Sequence, residues 1–157
     1  YIVPYEGEVD GDPSRTAGVL PVQLGQELAL LTIEENRVRE VVGDGPLTAA
    51  ERDHFRREPA YANIAELGLG VLGDFGLQPT GTILLDEKLG PHIAFGRSDH
   101  FGGVVGPADF SSADAVIHLD RVYIPETQPL VEMLDVTLEE GGAGAITESG
   151  ELGERGE

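Results

Sequence analysis

ELALLTIEENRVREVV, residues 27–42, is the stretch that decides the fold most clearly. Its first seven residues are mostly apolar, residues 34–36 are polar enough to turn, and residues 37–42 alternate between polar and apolar side chains. This pattern is typical of two β-strands joined in a hairpin, because successive side chains of a strand point to opposite faces. The stretch therefore predicts a β-hairpin with one face on the core.

One helix is predicted directly after this hairpin. Thr48 follows a GDGP turn and can cap a helix whose body, AAERDHFRRE at residues 49–58, ends before Pro59. Farther along, HIAFG, AVIHLD and PLVEMLDVTL are strand candidates, and 22 glycines and 10 prolines favour strands and tight turns over long helices. We therefore expect an α+β fold, a β-rich single domain with one clear helix and a partly closed mixed sheet around a metal site.

The chain is strongly acidic. It has 29 acidic and 10 basic residues, of which only Lys88 is a lysine, and its formal net charge is -19. This charge disfavours nucleic acid and anionic membranes as partners. The composition resembles that of proteins from organisms with a salty cytoplasm, and an acidic surface in an ordinary organism is the alternative. The first residues lack the features of a signal peptide and no apolar run is long enough to span a membrane, so we expect a soluble cytoplasmic protein.

Two parts of the chain are expected to behave differently. Residues 1–140 carry the apolar segments and form the expected metal-binding domain, whereas residues 141–157 are rich in glycine and acidic residues and are expected to form a flexible tail. Short exposed strand edges favour a homodimer. Cysteine is absent, so any metal ion must be held by oxygen and imidazole ligands.

A histidine and a carboxylate occupy alternate positions in AVIHLD. Period-two alternation puts His118 and Asp120 on the same face of the predicted strand. This spacing suits two ligands of a divalent cation, and a buried histidine hydrogen-bonded to its neighbour is the alternative. His92, at the head of HIAFG, adds a second imidazole, and two imidazoles with one carboxylate are the minimum set for a zinc, iron or manganese site.

Two glutamates are weaker candidates. Glu66 lies among apolar residues and glycines in AELGLG, and an unpaired buried carboxylate is costly unless a cation or hydrogen-bond donors meet it. Glu8 has several acidic neighbours in EGEVDGDP, which by itself is typical of a solvated surface. Only a wider pattern makes Glu8 a candidate.

That wider pattern is a resemblance to a family. The stretches EGEVDGDP, AELGLG, TGTILLDEKLGPHIAFG and IHLD, in this order over residues 1–138, resemble the motifs of the metal-dependent aminopeptidases of the aminopeptidase T and aminopeptidase S type. The family binds two neighbouring metal ions with residues of these motifs. The resemblance therefore implies that Glu8, Glu66, His92, His118 and Asp120 bind metal. It also implies hydrolysis of a small peptide or amide substrate with zinc, cobalt or manganese.

The chain departs from the family in two ways. The large upstream domain of the family has no counterpart in the sequence, so we expect a freestanding metal-binding domain. The family also has a tyrosine at the metal site shortly after the His-Ile-Ala-x-Gly motif, whereas this chain reads RSDHFGG, with Asp99 and His100 near that position. His100 could replace the tyrosine as a ligand or as a proton donor. We therefore expect Glu66 and His100 to be the catalytic residues.

Two other functions use the same residues. His92, His118 and Asp120 could hold iron(II) for the oxygen chemistry of a ring-cleaving dioxygenase. Alternatively, the domain could bind a metal ion without catalysing a reaction. The sequence leaves both open beside the metal-dependent hydrolase.

Overall fold

The computed structural model describes residues 1–8, 11–138, 142–146 and 152–154. Its first sheet is three-stranded and antiparallel, with β1 (Gly18–Leu24), β2 (Glu27–Glu34) and β3 (Arg37–Val42) in that order. The predicted hairpin is confirmed as β2 and β3. Strand β1 was not predicted, because Pro21 interrupts its apolar pattern; as an edge strand, it tolerates a residue without an amide hydrogen.

The turn between β2 and β3 connects the first sheet to the second. Glu35 and Asn36 both have positive φ, 50° and 62°, which suits a two-residue hairpin turn. Asn36 is buried, and its side-chain amide donates hydrogen bonds to Ile64 O at 2.8 Å and to Asn63 Oδ1 at 3.2 Å. The turn thereby fixes the start of the next sheet against the hairpin.

Helix α1 (Pro46–Arg57) confirms the predicted helix and its end before Pro59. The predicted cap is wrong, because Thr48 lies inside the first turn and is fully buried. Glu27, at the start of β2, caps the helix instead, and its carboxylate accepts hydrogen bonds from the amide of Leu47 at 3.1 Å and from the amide and hydroxyl of Thr48 at 2.7 and 2.8 Å. A carboxylate at a helix N-terminus also interacts favourably with the helix dipole.

The second sheet is three-stranded and antiparallel and has the order β4 (Ile64–Leu69), β5 (Pro91–Gly96) and β6 (His118–Val122). The long β4–β5 connection contains the short helix α2 (Ile83–Asp86). Short 3-10 turns occur at Pro59–Ala62, Leu72–Phe75, Asp99–Phe101, Pro107–Asp109 and Ala113–Ala115. The strand predicted for AVIHLD therefore begins later than expected, at His118.

The core lies between the first sheet, α1 and one face of the second sheet. Buried apolar side chains of all three form one cluster, which includes Val22, Leu31, Phe55, Ile93 and Phe95. Phe55 of α1 and Phe95 of β5 lie with their ring centroids 5.6 Å apart. The second sheet is thus supported on one face, and its other face is available for polar side chains.

The third sheet involves the predicted tail. Strand β7 (Leu134–Leu138) pairs antiparallel with β8 (Gly142–Ile146), which pairs with β9 (Leu152–Glu154). The rest of residues 139–157 lies outside the described residues, so the flexibility of the tail stays a prediction. Strand β7 confirms the late strand predicted in PLVEMLDVTL.

The predicted α+β class with one clear helix is confirmed, but the partly closed mixed sheet is wrong. Within the residues that the structure describes, every strand pairing is antiparallel and the sheets do not close. Two hairpin turns build the first sheet, and three strands are too few to curl into a barrel. None of the helices in the described parts of the chain is long and apolar enough to cross a membrane.

Candidate metal centre

Four of the five predicted metal ligands lie on one face of the second sheet. Glu66 of β4, Ala94 of β5 and Asp120 of β6 form one cross-strand row, and His118 and His92 lie in the rows on either side of it. Alternation puts these residues on the same face. The intervening residues point to the core: Leu67, Ile93 and Phe95.

Glu66, His118 and Asp120 form a group whose possible ligand atoms all lie within 4.8 Å of one another. His118 Nε2 is 3.2 Å from Glu66 Oε2 and 3.6 Å from Asp120 Oδ1. Bonds of about 2.0–2.2 Å to a tetrahedral cation would separate two ligand atoms by about 3.4 Å. The spacing of these three side chains therefore fits one divalent cation.

A second group contains Glu87, His92 and Asp120, again with ligand atoms within 4.8 Å of one another. Asp120 belongs to both groups, and Glu66 lies between them, because its Oε1 is 3.5 Å from His92 Nε2. Glu87 was not predicted as a ligand. It follows α2 in the DEKLG segment, and no strand or helix period relates it to His92, so its place in that motif is the signal that could have indicated it.

Two buried polar atoms of these groups have no hydrogen-bond partner among the residues that the structure describes. They are Nδ1 of His92 and Oδ1 of Asp120. Buried polar atoms are usually hydrogen-bonded, and leaving one without a partner costs about 1–3 kcal/mol. A bound cation would provide the partner that the buried Asp120 oxygen lacks. This is a reason, independent of spacing, to regard these residues as a fit for a metal ion.

A backbone carbonyl fixes the orientation of the His118 ring. Its Nδ1 lies 2.7 Å from the carbonyl oxygen of Arg97, so Nδ1 carries the hydrogen and Nε2 faces the two carboxylates. Metal-binding histidines commonly use their second nitrogen in this way. Burial opposes the charged form, but Asp120, the Arg97 carbonyl and Glu66 outweigh it and raise the pKa of His118 to about 9. The proton occupies the position that a cation would take.

His100 lies at the edge of the first group. Its ring is 4.8 Å from the ring of His118, measured between centroids, and its Nδ1 is 3.7 Å from Asp99 Oδ1. Burial and the neighbouring His118 and Arg97 lower the pKa of His100. The structure thus places the predicted catalytic histidine next to the site, although in neither ligand group.

Glu8 is not brought to the other predicted ligands. Its side chain is exposed, accepts a hydrogen bond from the Glu6 amide at 2.8 Å and belongs to neither ligand group of the described residues. Glu6 is the inward-facing glutamate of this segment, and its carboxylate accepts hydrogen bonds from Asn63 Nδ2 at 2.7 Å, Ser98 Oγ at 2.8 Å and Val104 N at 2.7 Å. Glu6 therefore fixes the loop that carries His100.

The two histidines belong to different groups, so the predicted set of two histidines and one carboxylate does not surround a single point in the described residues. Each group has one imidazole and two carboxylates. No protein-family model, curated protein or solved structure matches the chain. Function is therefore inferred from the chemistry of the site.

Proposed function

We propose that this protein is a metal-dependent hydrolase of peptide or amide bonds, with an aminopeptidase-like activity that requires one or two divalent cations. The observation that carries the proposal is the Glu66, His118 and Asp120 group, which combines cation-compatible spacing with a buried Asp120 oxygen that has no hydrogen-bond partner. Three protein ligands that leave a position open are typical of catalytic zinc sites, whereas structural sites are usually closed by four.

A cation held by these residues would polarise the substrate carbonyl and acidify a water molecule. His118 presents Nε2 to the site, because its other nitrogen is held by the Arg97 carbonyl. Glu66 directs one oxygen toward each histidine, so it can bind at the centre and accept a proton there. His100 is the group at the rim that we assign to proton transfer; burial and the neighbouring His118 and Arg97 lower its pKa, which favours its neutral, proton-accepting form near neutral pH.

The free amine of the substrate needs a negatively charged partner. Asp99 is poorly suited to this role, because the Arg97 guanidinium binds it at 2.5 Å and lowers its pKa, so much of its charge is already compensated. The carboxylates of the centre itself are better candidates. We therefore propose that the amine binds at the ligand groups and that Asp99 instead places His100.

The hydrolase is favoured over the ring-cleaving dioxygenase by the distribution of the histidines. A mononuclear iron(II) site of that kind uses two histidines and one carboxylate around one ion, whereas here His92 and His118 lie in separate groups. The resemblance of AELGLG, TGTILLDEKLGPHIAFG and IHLD to the motifs of the aminopeptidase T and aminopeptidase S type supports the same choice. We further propose that the protein is a cytoplasmic homodimer. The acidic composition supports the proposal that it is adapted to a salty cytoplasm.

The test is release of amino acids from aminoacyl p-nitroanilides by metal-free protein to which zinc, cobalt or manganese is added. We expect activity that depends on the added metal, is abolished in Asp120→Asn and is unchanged in Glu40→Gln. Glu40 is an exposed carboxylate on β3 and makes the second substitution a matched control. Cation binding without turnover of any reporter would instead support the non-catalytic metal-binding domain.

A further inference from the structure

The β4–β5 connection carries a group of exposed apolar side chains. Residues 71–85 contain one charged residue, Asp74, although a quarter of the residues in the whole chain are charged. Six large apolar side chains of this stretch are exposed: Val71, Phe75, Leu77, Ile83, Leu84 and Leu85. Single exposed apolar residues are ordinary on protein surfaces, whereas a group of them typically marks an interaction site. These six residues are called the apolar surface below.

Backbone hydrogen bonds hold the two ends of this connection side by side. The amide of Gly70 donates to the carbonyl of Gly90 at 2.9 Å, and the amide of Leu72 donates to the carbonyl of Lys88 at 2.8 Å. The first limb also turns back on itself, because the amide of Leu77 donates to the carbonyl of Leu72 at 3.4 Å. The exposed apolar side chains therefore belong to one compact unit on the second sheet.

Helix α2 has the reverse of the usual burial pattern. A surface helix normally buries its apolar side chains. In α2, Ile83, Leu84 and Leu85 are all exposed. The buried residue is instead Asp86, whose carboxylate accepts hydrogen bonds from the amide and hydroxyl of Thr80 at 2.7 and 2.8 Å. This polar anchor keeps the apolar side chains of α2 outward, where they can contact another molecule.

The apolar surface adjoins the candidate metal centre. The ammonium of Lys88 binds the carbonyl of Leu84 at 3.2 Å and Oε1 of Glu87 at 2.8 Å. Glu87 belongs to the ligand group of His92 and Asp120. Helix α2 also lies against β6, the strand that carries Asp120. One lysine side chain therefore connects the apolar surface to the ligand groups.

This position favours a polypeptide substrate as the molecule that covers the apolar surface. An extended chain advances about 3.3–3.6 Å per residue, so three residues cover roughly 10 Å. A substrate whose first residue lies at the ligand groups can therefore place its fourth to sixth residues on α2. A second copy of this chain is disfavoured there, because it would bring together two chains of net charge -19 and would close the approach to the ligand groups.

From these contacts we propose that the apolar surface binds apolar side chains of an extended polypeptide substrate, on the carboxyl-terminal side of the bond that is cleaved. The inference rests on the proposed function and adds a substrate class, namely peptides with apolar residues from about the fourth position onward. Leu84 and Phe75 should contribute most, because they are 68% and 77% exposed. Both residues determine specificity and take no part in bond cleavage.

The first measurement is peptide binding without catalysis. The probe is acetyl-Gly-Gly-Leu-Phe-Leu-amide, whose blocked amine prevents aminopeptidase cleavage, and acetyl-Gly-Gly-Ser-Asn-Ser-amide is the polar control. The chain has no tryptophan, so Phe75→Trp supplies a single fluorescent reporter on the apolar surface. With metal-free protein, we expect the apolar peptide to shift the emission to shorter wavelength and to bind at least about 10-fold more tightly than the polar one, because one buried leucine contributes about that factor.

Leu84→Ser and Leu30→Ser are compared in the Phe75→Trp protein. Leu84→Ser should weaken the apolar peptide about 10-fold, since it removes one buried leucine from the complex. Leu30 is an exposed leucine on β2, far from the connection in the chain, so Leu30→Ser is the matched control and should leave the dissociation constant unchanged. If Leu84→Ser does not fold, as judged by circular dichroism, Ile83→Ser serves instead with the same expected result.

The second measurement is hydrolysis by the metal-loaded protein without the reporter substitution. Leucine release is compared between Leu-Gly-Gly-Leu-Phe-Leu and Leu-Gly-Gly-Ser-Asn-Ser, which share the bond that is cleaved. Contacts that are equally strong in the ground state and the transition state lower KM and leave kcat unchanged. We therefore expect the apolar peptide to have a KM about 10-fold lower at similar kcat, and the ratio of the two KM values to approach one in Leu84→Ser.

The outcomes separate this inference from the proposed hydrolase. Equal binding of the two blocked peptides, with hydrolysis of both hexapeptides at the same KM, would overturn the docking surface and leave the hydrolase standing. Selective binding of the apolar peptide that Leu84→Ser weakens, without hydrolysis of any reporter, would establish the docking surface and overturn the hydrolase. A dimer that Leu84→Ser dissociates and Leu30→Ser leaves intact, in sedimentation equilibrium, would mean that a second copy covers this surface and would overturn the proposal.

Discussion

Substitution of Gly68 by alanine should displace the His92 ring and thereby disturb the candidate metal centre. The new Cβ would lie 2.0 Å from Cε1 and Nε2 of His92, whereas ordinary contact begins at 3.4 Å. The imidazole or the strand must therefore move by more than an ångström, although metal–ligand distances tolerate only about 0.2 Å. Glycine-to-alanine substitutions at unstrained positions usually stabilise by about 0.4–1 kcal/mol, but here overpacking should cost about 1–3 kcal/mol.

The loss of folding stability in Gly68→Ala, relative to the wild type, should be larger when metal is present. A cation at 100 times its dissociation constant stabilises the folded protein by about 2.7 kcal/mol. If the displaced imidazole weakens the cation about 100-fold, the same concentration stabilises Gly68→Ala by only about 0.4 kcal/mol. Urea unfolding followed by circular dichroism, with and without manganese, measures both effects. The two curves should lie close together for Gly68→Ala and far apart for the wild type.

Gly43→Ala is the control for general destabilisation. Gly43 has φ of +144°, and an added Cβ would be 3.1 Å from Leu28 O and 3.2 Å from Thr48 Cγ2, in the first sheet and helix. This substitution should destabilise the protein yet keep the full stabilisation by manganese. The proposed displacement of the His92 ring would be refuted if the manganese dissociation constant of Gly68→Ala lay within about threefold of the wild-type value. Such a difference corresponds to only about 0.7 kcal/mol of binding free energy.

Three further predictions concern other contacts. In the metal-free protein, His118 has a folded-state pKa of about 9, above its unfolded value, so its contribution to stability is complete below about pH 6.5 and is lost as the pH rises through 9. Urea midpoints from pH 6 to pH 9.5 should fall in the wild type, and a His118→Gln profile of the same slope would contradict this. Glu6→Gln replaces an acceptor of three hydrogen bonds by an amide and should cost about 1–3 kcal/mol. It should also speed hydrogen exchange in the loop before Val105, and unchanged exchange there would show that Glu6 does not fix the loop. Glu27→Ala removes the cap of α1 and should lower the thermal midpoint more than Glu40→Ala, whereas equal midpoints would mean that the cap does not stabilise the helix.

The parts of the fold that the sequence predicted depend on local patterns. The hairpin of residues 27–42 follows from its polar turn and from the alternation of residues 37–42. His118 and Asp120 share a face because they are two positions apart on a strand. The helix end before Pro59 is equally local, since proline disfavours helix at the residue before it. These features need no knowledge of distant residues.

The parts that were missed depend on contacts between distant segments. Glu27 caps α1 although it lies on β2, about 20 residues earlier in the chain. Glu87 reaches the ligand groups from the β4–β5 connection, where the sequence has no strand or helix period that would predict its position. The N-terminal segment shows the same limit, because EGE offers two glutamates of the same chemistry. The hydrogen bonds that Asn63, Ser98 and Val104 donate to Glu6 distinguish this inward glutamate from the exposed Glu8.

The candidate metal centre and the hydrophobic core depend on the same strand register. On β5, His92 and Ala94 face the ligands while Ile93 and Phe95 face the core, so a slip of one residue would exchange the two sets. Such a slip would bury an imidazole in the core and expose Phe95, which is now only 1% exposed. The apolar residues therefore position the ligands before any cation binds. A cation held by Glu66 on β4 and by His118 and Asp120 on β6 would oppose any slip, because its ligands lie on both strands. Metal binding should consequently increase the stability of the second sheet, and substitutions that weaken this sheet should also weaken metal binding. The first sheet contributes no ligand to either group, so metal binding should change its stability less.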